Sequence, residues 1–213
     1  MPAIPTTERE ARDFVECRGD KMAIAHLDRW VDLLRAENDR QNLVSKASLE
    51  MVWQRHIADS AQITDYVSRE TQAPWVDFGA GAGFPGIVLA ILRPEQPVFL
   101  IEARRRRIDW LRDTVDLLGL ENCHILPGDA QKVTALEAGL ITARAFASLA
   151  HTIAIAARFS TSRTTWVLPK GQSAAQEVSM LPDKLANMFH VEPSKTCRGA
   201  GLVVGSGRIA EKF

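Results

Sequence analysis

Residues 75–86 read Trp75, Val76, Asp77, Phe78, Gly79, Ala80, Gly81, Ala82, Gly83, Phe84, Pro85, Gly86. A short apolar run around one carboxylate is followed by four glycines within eight residues. Glycine reaches positive φ without steric cost and lets a backbone approach a ligand closely, so this density exceeds what a plain turn needs. Ile87 to Leu92 follow as an unbroken apolar run. They predict a helix whose first amides face whatever the loop holds. The stretch therefore predicts a strand, a cradle for a nucleotide-type cofactor, and a helix.

Downstream, strand patterns near 75–78, 97–102, 122–126, 141–145 and 164–169 alternate with helical ones. That alternation predicts an α/β fold with a doubly wound, Rossmann-like parallel sheet. A helix over 173–181 follows, then Phe189–Val191 and Leu202–Val204 as a closing antiparallel pair. Upstream, residues 7–67 read as helical. Thr7 and Glu10 stand at capping-box spacing, and Ile24, Leu27, Val31 and Leu34 form one stripe. Gly19 separates the first two helices. Ser48 is the expected N-cap of a third, carrying Val52, Trp53, Ile57 and Ala61. The expected division is an N-terminal helical extension over 1–70 packed on a core over 71–213, together one structural domain. At 213 residues and 46% apolar the chain can bury such a core.

Twenty-six basic residues balance 26 acidic ones, so no global field draws a nucleic acid, and any such contact must arise from local clustering. Cys17, Cys123 and Cys197 are odd in number and widely spaced. They predict free thiols in a reducing cytosol, with no disulfide framework and no metal site. The amino terminus lacks a charged start followed by an apolar core, and no apolar run approaches a membrane span. A soluble, cytoplasmic protein without a membrane partner is expected.

Gly81, Gly83 and Gly86 spell G-x-G-x-x-G, yet a dinucleotide site fits poorly. Gly79 and Ala80 intervene after the strand, Pro85 lacks an amide hydrogen, and Asp77 sets a negative charge beside a pyrophosphate. The same carboxylate suits S-adenosyl-L-methionine, whose ammonium and sulfonium groups are cationic. The second strand ends in Glu102, about 20 residues past the glycines, where a carboxylate can accept ribose hydroxyls. At the third strand's end stand Gly128, Asp129, Ala130 and Gln131. They can hold an adenine, or Asp129 can simply cap a helix. The run Arg104 to Arg107 fans around its helix, so at most two of its cations face one partner. Cations at a helix start either call for a compensating anion or are simply solvated.

Two absences narrow the reaction. No Asp-Pro-Pro or Asn-Pro-Pro segment follows the fourth strand, where Ile141, Thr142, Ala143, Arg144 and Ala145 stand instead, and no cysteine ends that strand to attack a pyrimidine. Transfer to an atom with a free lone pair, such as guanine N7, remains; it needs proximity and orientation more than a base.

Four segments resemble one family. They are Asn42–Ser45 followed by His56–Ser60, the loop Gly79–Gly86, Thr142–Ala145, and Leu168–Gly171. Together they are similar to the bacterial small-subunit ribosomal RNA guanine-N7 methyltransferases, also called glucose-inhibited division protein B. The resemblance implies a class I methyltransferase sheet, S-adenosyl-L-methionine as cofactor, and methylation of guanine 527, in the 530 loop of 16S ribosomal RNA. Free RNA or a small-subunit precursor is the implied partner, and a monomer is expected.

Cofactor contacts are implied at Gly79, Phe84, Ala130, Gln131 and Arg144, beside the Asp77, Gly81, Gly83 and Glu102 positions read from the loop itself. Arg144 and Lys170 stand at carboxyl ends of strands, where open sheets bind ligands. Arg144 is expected to bind cofactor or an RNA phosphate, and Lys170 to grip RNA. His56 and Asp59, one helical turn apart, are expected to share a structural hydrogen bond, with no general base required. Two positions depart from the family: Ala80 replaces a common Ser or Thr, and Gln131 a common Glu. A methyltransferase for another RNA or a small molecule, or a non-catalytic ribosome-binding module, remain as alternatives.

Overall fold

Thr7 caps the first helix as its spacing with Glu10 predicts. Its hydroxyl accepts from Glu10 N at 3.1 Å, while the Glu10 carboxylate accepts from the amides of Thr6 and Thr7. The computed structural model describes residues 4–68, 70 and 72–210. Helix α1 (Glu8–Glu16) is followed by α2 (Lys21–Gln41), whose stripe from Ala23 to Leu34 is buried and which ends at Asn42 in the left-handed region, φ 46°. Helix α3 (Lys46–Glu50) is capped by Ser45 rather than Ser48. Both serines fit a cap by sequence, and Ser45 takes the role because its hydroxyl accepts from Ser48 N, closing the first turn. Trp53–Ile57 form a π-helical turn that runs into α4 (Ala58–Ala61) and a 3₁₀ turn, Gln62–Tyr66. The Glu8 carboxylate accepts from Trp53 N and Gln54 N, tying that turn to α1.

The sheet then builds as β1 (Trp75–Phe78), α5 (Gly86–Leu92), β2 (Val98–Glu102), α6 (Arg105–Leu118), β3 (Cys123–Pro127) and β4 (Ala138–Thr142). There follow α7 (Leu149–Ala156), β5 (Ser160–Gly171), α8 (Ala174–Ser179), α9 (Asp183–Ala186), β6 (Phe189–Pro193) and β7 (Gly201–Ser206). The seven strands lie in the order β3-β2-β1-β4-β5-β7-β6. The first five are parallel, and β7 is antiparallel to both β5 and β6. Strand β4 begins and ends three residues before its predicted place, because Leu140 pairs with Trp75 and Thr142 with Asp77. Ala138 and Gly139 carry no β-branched signal that would announce the start. The shift moves Ala143, Arg144 and Ala145 out of the strand into the loop beyond it.

Helix α5 explains why the N-terminal helices exist. All seven of its residues are buried, and a helix apolar on every face must be covered on every face. The sheet covers one side, where a Cβ on Gly86 would overlap Leu100. Helix α2 covers the other, where a Cβ on Gly83 would lie 2.9 Å from the Trp30 ring. One core layer thus joins Leu27, Trp30, Leu34 and Ile57 to Ile87, Leu89 and Leu100. The opposite face of the sheet carries a second layer that includes Phe78, Ile141, Phe159 and Trp166. Strand residues alternate between the layers, Trp75 to one and Val76 to the other, as a period of two requires.

Candidate functional site

The carboxyl edge of the parallel strands carries two cavities separated by the loop after β4. The smaller, of ≈ 270 Å³, is lined by Gly79, Glu102, Gly128, Ala130, Ala145 and Phe146 among others. The backbone turns tightly around it. Gly79 N and Ala80 N both donate to Ile101 O, and Gly79, Gly81 and Gly128 have φ of 69°, 57° and 138°. A Cβ at Gly79 would lie 2.5 Å from the Phe146 ring, so only glycine leaves this floor open.

Glu102 organises the rim. One carboxylate oxygen accepts from Gly81 N at 2.9 Å, the other from Ala103 N, Arg104 N and Arg104 Nε. Burial works against its ionised form, but Arg104 and the amides hold it below the usual carboxylate range. The basic run finds its compensating anion here. Arg104 pairs with Glu102, Arg105 with Asp109, and Arg107 donates to the Gln41 and Asn42 carbonyls at the end of α2.

Asp77 lies one layer inside the cleft, 1% exposed. One oxygen accepts from Gly86 N at 2.9 Å and so holds the start of α5; the other, Oδ1, is buried without a partner among the described residues. Burial raises its carboxyl to about 7. Gly81 turns toward Glu102, whereas Gly83 and Phe84 turn away, toward α2. Ala130 reaches the cleft. Gln131 is exposed and is not among the lining residues; its amide is held by Asp129 Oδ1 in a local turn. Ala80 is buried, its carbonyl accepting from Gly83 N.

The larger cavity, of ≈ 670 Å³, lies on the other side of Ala145, which lines both. Ala145 has φ 52°, a conformation that costs a non-glycine residue about 1 kcal/mol or more and persists where its surroundings fix it. Arg144 forms the wall. Its guanidinium stacks 4.9 Å over the Phe84 ring, meets His56 Nδ1 at 2.9 Å, and donates to Asp59 Oδ2 at 3.5 Å and Arg55 O at 3.3 Å. His56 and Asp59 therefore share Arg144 rather than a bond with each other. The arginine enters from the sheet between them and takes the acceptor of each. Phe84 packs against both the His56 ring and the Arg144 guanidinium, which touch each other beside it, a contact of the wall and not of the smaller cleft. Burial, with Arg144 and Arg55 adding to it, lowers His56 to about 3, so the imidazole is neutral and is a weak base at neutral pH.

Lys170 donates to Ala147 O at 2.5 Å and to Glu177 at 3.2 Å, its side chain 9% exposed. Glu177 also accepts from Leu149 N and Ser173. The pair pins the turn that carries Ala145 and Phe146. Sequence reading missed Phe146, Ala145 and the 194–200 turn of the cavity wall. An aromatic just past β4 was the signal for Phe146; the turn comes from a tail without a motif. Among the described residues there is no cluster of three or more His, Cys, Asp or Glu suited to a metal, and no helix long and apolar enough to cross a membrane. The three cysteines are free, and burial pushes Cys123 up to about 12.

Comparison with known proteins finds close relatives of the chain. Residues 23–199 match the family model of rRNA small subunit methyltransferase G. A protein of Erythrobacter litoralis named ribosomal RNA small subunit methyltransferase G is 54% identical over 202 residues, covering 95% of this chain and 97% of that one. Proteins with the same name from Novosphingobium aromaticivorans and Rhizorhabdus wittichii are 48% and 40% identical, over 93% and 94% of this chain and 88% and 93% of theirs. Among solved structures, a variant of MtNAS in complex with S-adenosylmethionine superposes with a TM-score of 0.55 at 15% identity, covering 94% of this chain and 84% of that one. A SAM-dependent methyltransferase from Aquifex aeolicus gives 0.54 at 14% identity, over 70% of this chain and 88% of its own. These two establish the fold.

Proposed function

The chain belongs to the rRNA small subunit methyltransferase G family, and from that premise we propose that it transfers a methyl group from S-adenosyl-L-methionine to N7 of a guanine in 16S ribosomal RNA. The residues of the smaller cleft fit that cofactor. Glu102 brings a carboxylate to the rim that ribose hydroxyls would reach by displacing the exposed Arg104 guanidinium, Gly79 and Gly128 leave room for a close approach, and Phe146 supplies an aromatic wall. The unpartnered Oδ1 of Asp77 lies beneath the loop as a buried polar atom still to be satisfied. When bound, the cofactor supplies an electrophilic methyl carbon on a sulfonium.

The protein's own part is orientation. Arg144, locked by Phe84, His56 and Asp59, gives the larger cavity a rigid wall against which a planar base can lie, and the fixed turn at Ala145 is the boundary the two cavities share. The observation that carries this reading is the meeting of the two cavities at Ala145 with a wall whose imidazole is held neutral. Guanine N7 carries its lone pair in the neutral base and asks for no proton acceptor, and in-line transfer then gains chiefly from proximity and alignment. Lys170 acts here by fixing the turn of Ala145 and Phe146.

The working unit is a cytoplasmic monomer acting on 16S RNA or a small-subunit precursor. Its helical extension over 1–70 and its core over 71–213 form one domain, because α5 is covered only when both are present. The test is methyl incorporation from S-adenosylmethionine into 16S RNA from a strain lacking this protein, with the product mapped to the nucleotide. Methyl at a guanine N7 supports the reading; a methyl group elsewhere, or preference for NAD in calorimetry, overturns it.

A further inference from the structure

The larger cavity is basic in a chain without net charge. Three arginines line it, Arg55, Arg144 and Arg198, against one carboxylate, Asp59. Asp59 is spent: one oxygen accepts from Arg144, the other from Gln62 Nε2 and Thr196 Oγ1. Arg144 is likewise built into the wall. Arg55 and Arg198 are exposed and have no carboxylate partner among the described residues. They come from opposite ends of the chain, Arg55 from the π-helical turn and Arg198 from the turn joining β6 to β7. Arg55 Nη1 lies 3.9 Å from the sulfur of Cys197, next to Arg198.

The β6–β7 turn is held at its base. Gln62, fully buried, accepts from Lys195 N at 2.8 Å and donates to Thr196 Oγ1 at 3.1 Å, while Ser194 Oγ accepts from Cys197 N and Ser194 N bonds Ala200 O. Buried, satisfied polar networks of this kind rigidify what they hold. Lys195 is turned away into an ion pair with Asp65, which leaves Arg198 as the turn's free cation.

We propose that the 194–200 turn is an RNA-binding element, in which Arg198, together with Arg55 across the cavity mouth, holds phosphates of the single-stranded segment that presents the target base. The inference rests on the proposed rRNA methyltransferase function and adds to it a binding surface outside the sheet edge.

Each phosphate neutralised on a single strand contributes about 0.7 to the slope of log affinity against log salt. The double variant Arg55→Gln, Arg198→Gln should therefore bind a 16S RNA transcript about tenfold more weakly at low salt and lower the slope by about 1.4 in filter binding. Calorimetric affinity for S-adenosylmethionine should be unchanged. A control pair, Arg112→Gln and Arg163→Gln, removes two exposed cations elsewhere and should leave the slope as in the wild type. Gln62→Leu should weaken RNA binding although both arginines remain, since the turn loses its anchor.

Wild-type affinity and slope in the Arg55 and Arg198 double variant would overturn the proposal, as would an equal loss in the control pair. Wild-type protein that binds the transcript but transfers no methyl group would sink the enzymatic reading instead. The slope comparison would still decide the role of the turn.

Discussion

His56 and Asp77 are displaced in opposite directions from their ordinary titration, and their opposed effects on stability can be measured. His56 has a folded value of about 3 against its ordinary 6.5, so at pH 5 the unfolded chain carries nearly one more proton there. Its contribution is complete above pH 6.5 and is lost as pH falls toward 3. Asp77 has a folded value of about 7 against 3.8, so at pH 5 the folded chain carries the extra proton. Its contribution is complete below pH 3.8 and is lost as pH rises through 7. Each difference of one bound proton gives a slope of about 1.4 kcal/mol per pH unit, and between pH 3.8 and 6.5 the two slopes have opposite signs.

In the wild type these two contributions nearly cancel. His56→Gln exposes the Asp77 slope, so stability relative to wild type should fall as pH rises, by about 4 kcal/mol across the window. Asp77→Asn exposes the His56 slope, and relative stability should rise by a similar amount. Gln keeps an acceptor for Arg144 and Asn one for Gly86 N, so any constant cost shifts each curve without tilting it. Urea unfolding of the apo protein at half-unit pH steps reads the tilt directly. Curves that run parallel to wild type for both variants would refute the assignment of a neutral imidazole and a protonated carboxyl.

Glu102→Gln keeps the shape of the rim but loses its charge, and calorimetry should show S-adenosylmethionine bound about 10- to 100-fold more weakly, the loss of a charge-assisted hydrogen bond. Gly79→Ala should abolish cofactor binding, since its Cβ meets Phe146 at the cleft. Gly83→Ala should instead lower thermal stability by about 1–3 kcal/mol, because φ 111° and the Trp30 contact concern the core, and the folded fraction should still bind cofactor. Lys170→Met frees the turn of Ala145 and Phe146, so KM for S-adenosylmethionine should rise more than KM for RNA; the reverse order would mean that Lys170 grips RNA directly.

The strand and glycine loop at 75–86 were legible because apolar period, carboxylate and glycines all demand the same geometry there. The place of Glu102 at the end of β2 was legible from spacing alone. What lay beyond reading was which way equivalent residues turn. Gly81 and Gly83 are two residues apart, yet one bonds Glu102 and the other packs on Trp30, a difference set by α2, which is distant in sequence. His56 and Asp59 advertise a bond by their spacing, but Arg144, 85 residues or more away, supplies the stronger partner. The same holds for Ser194 and Thr196. Their role depends on Gln62, over 130 residues earlier, and no local pattern announces such a contact. Capping of α3 by Ser45 shows the limit at close range, where two serines three residues apart fit the rule equally well.

The larger cavity draws its walls from Ile4–Thr6 and Ser45–Asp59 at the start of the chain and from Ser194–Leu202 near its end. Those segments meet only through the tertiary fold. The glycine loop, Glu102 and the β4 turn of the smaller cleft draw on neither of them. The wall of the larger cavity is complete only where the turn of Arg198 meets Gln62. Damage to that one buried amide would thus open the larger cavity while leaving the smaller cleft as it is.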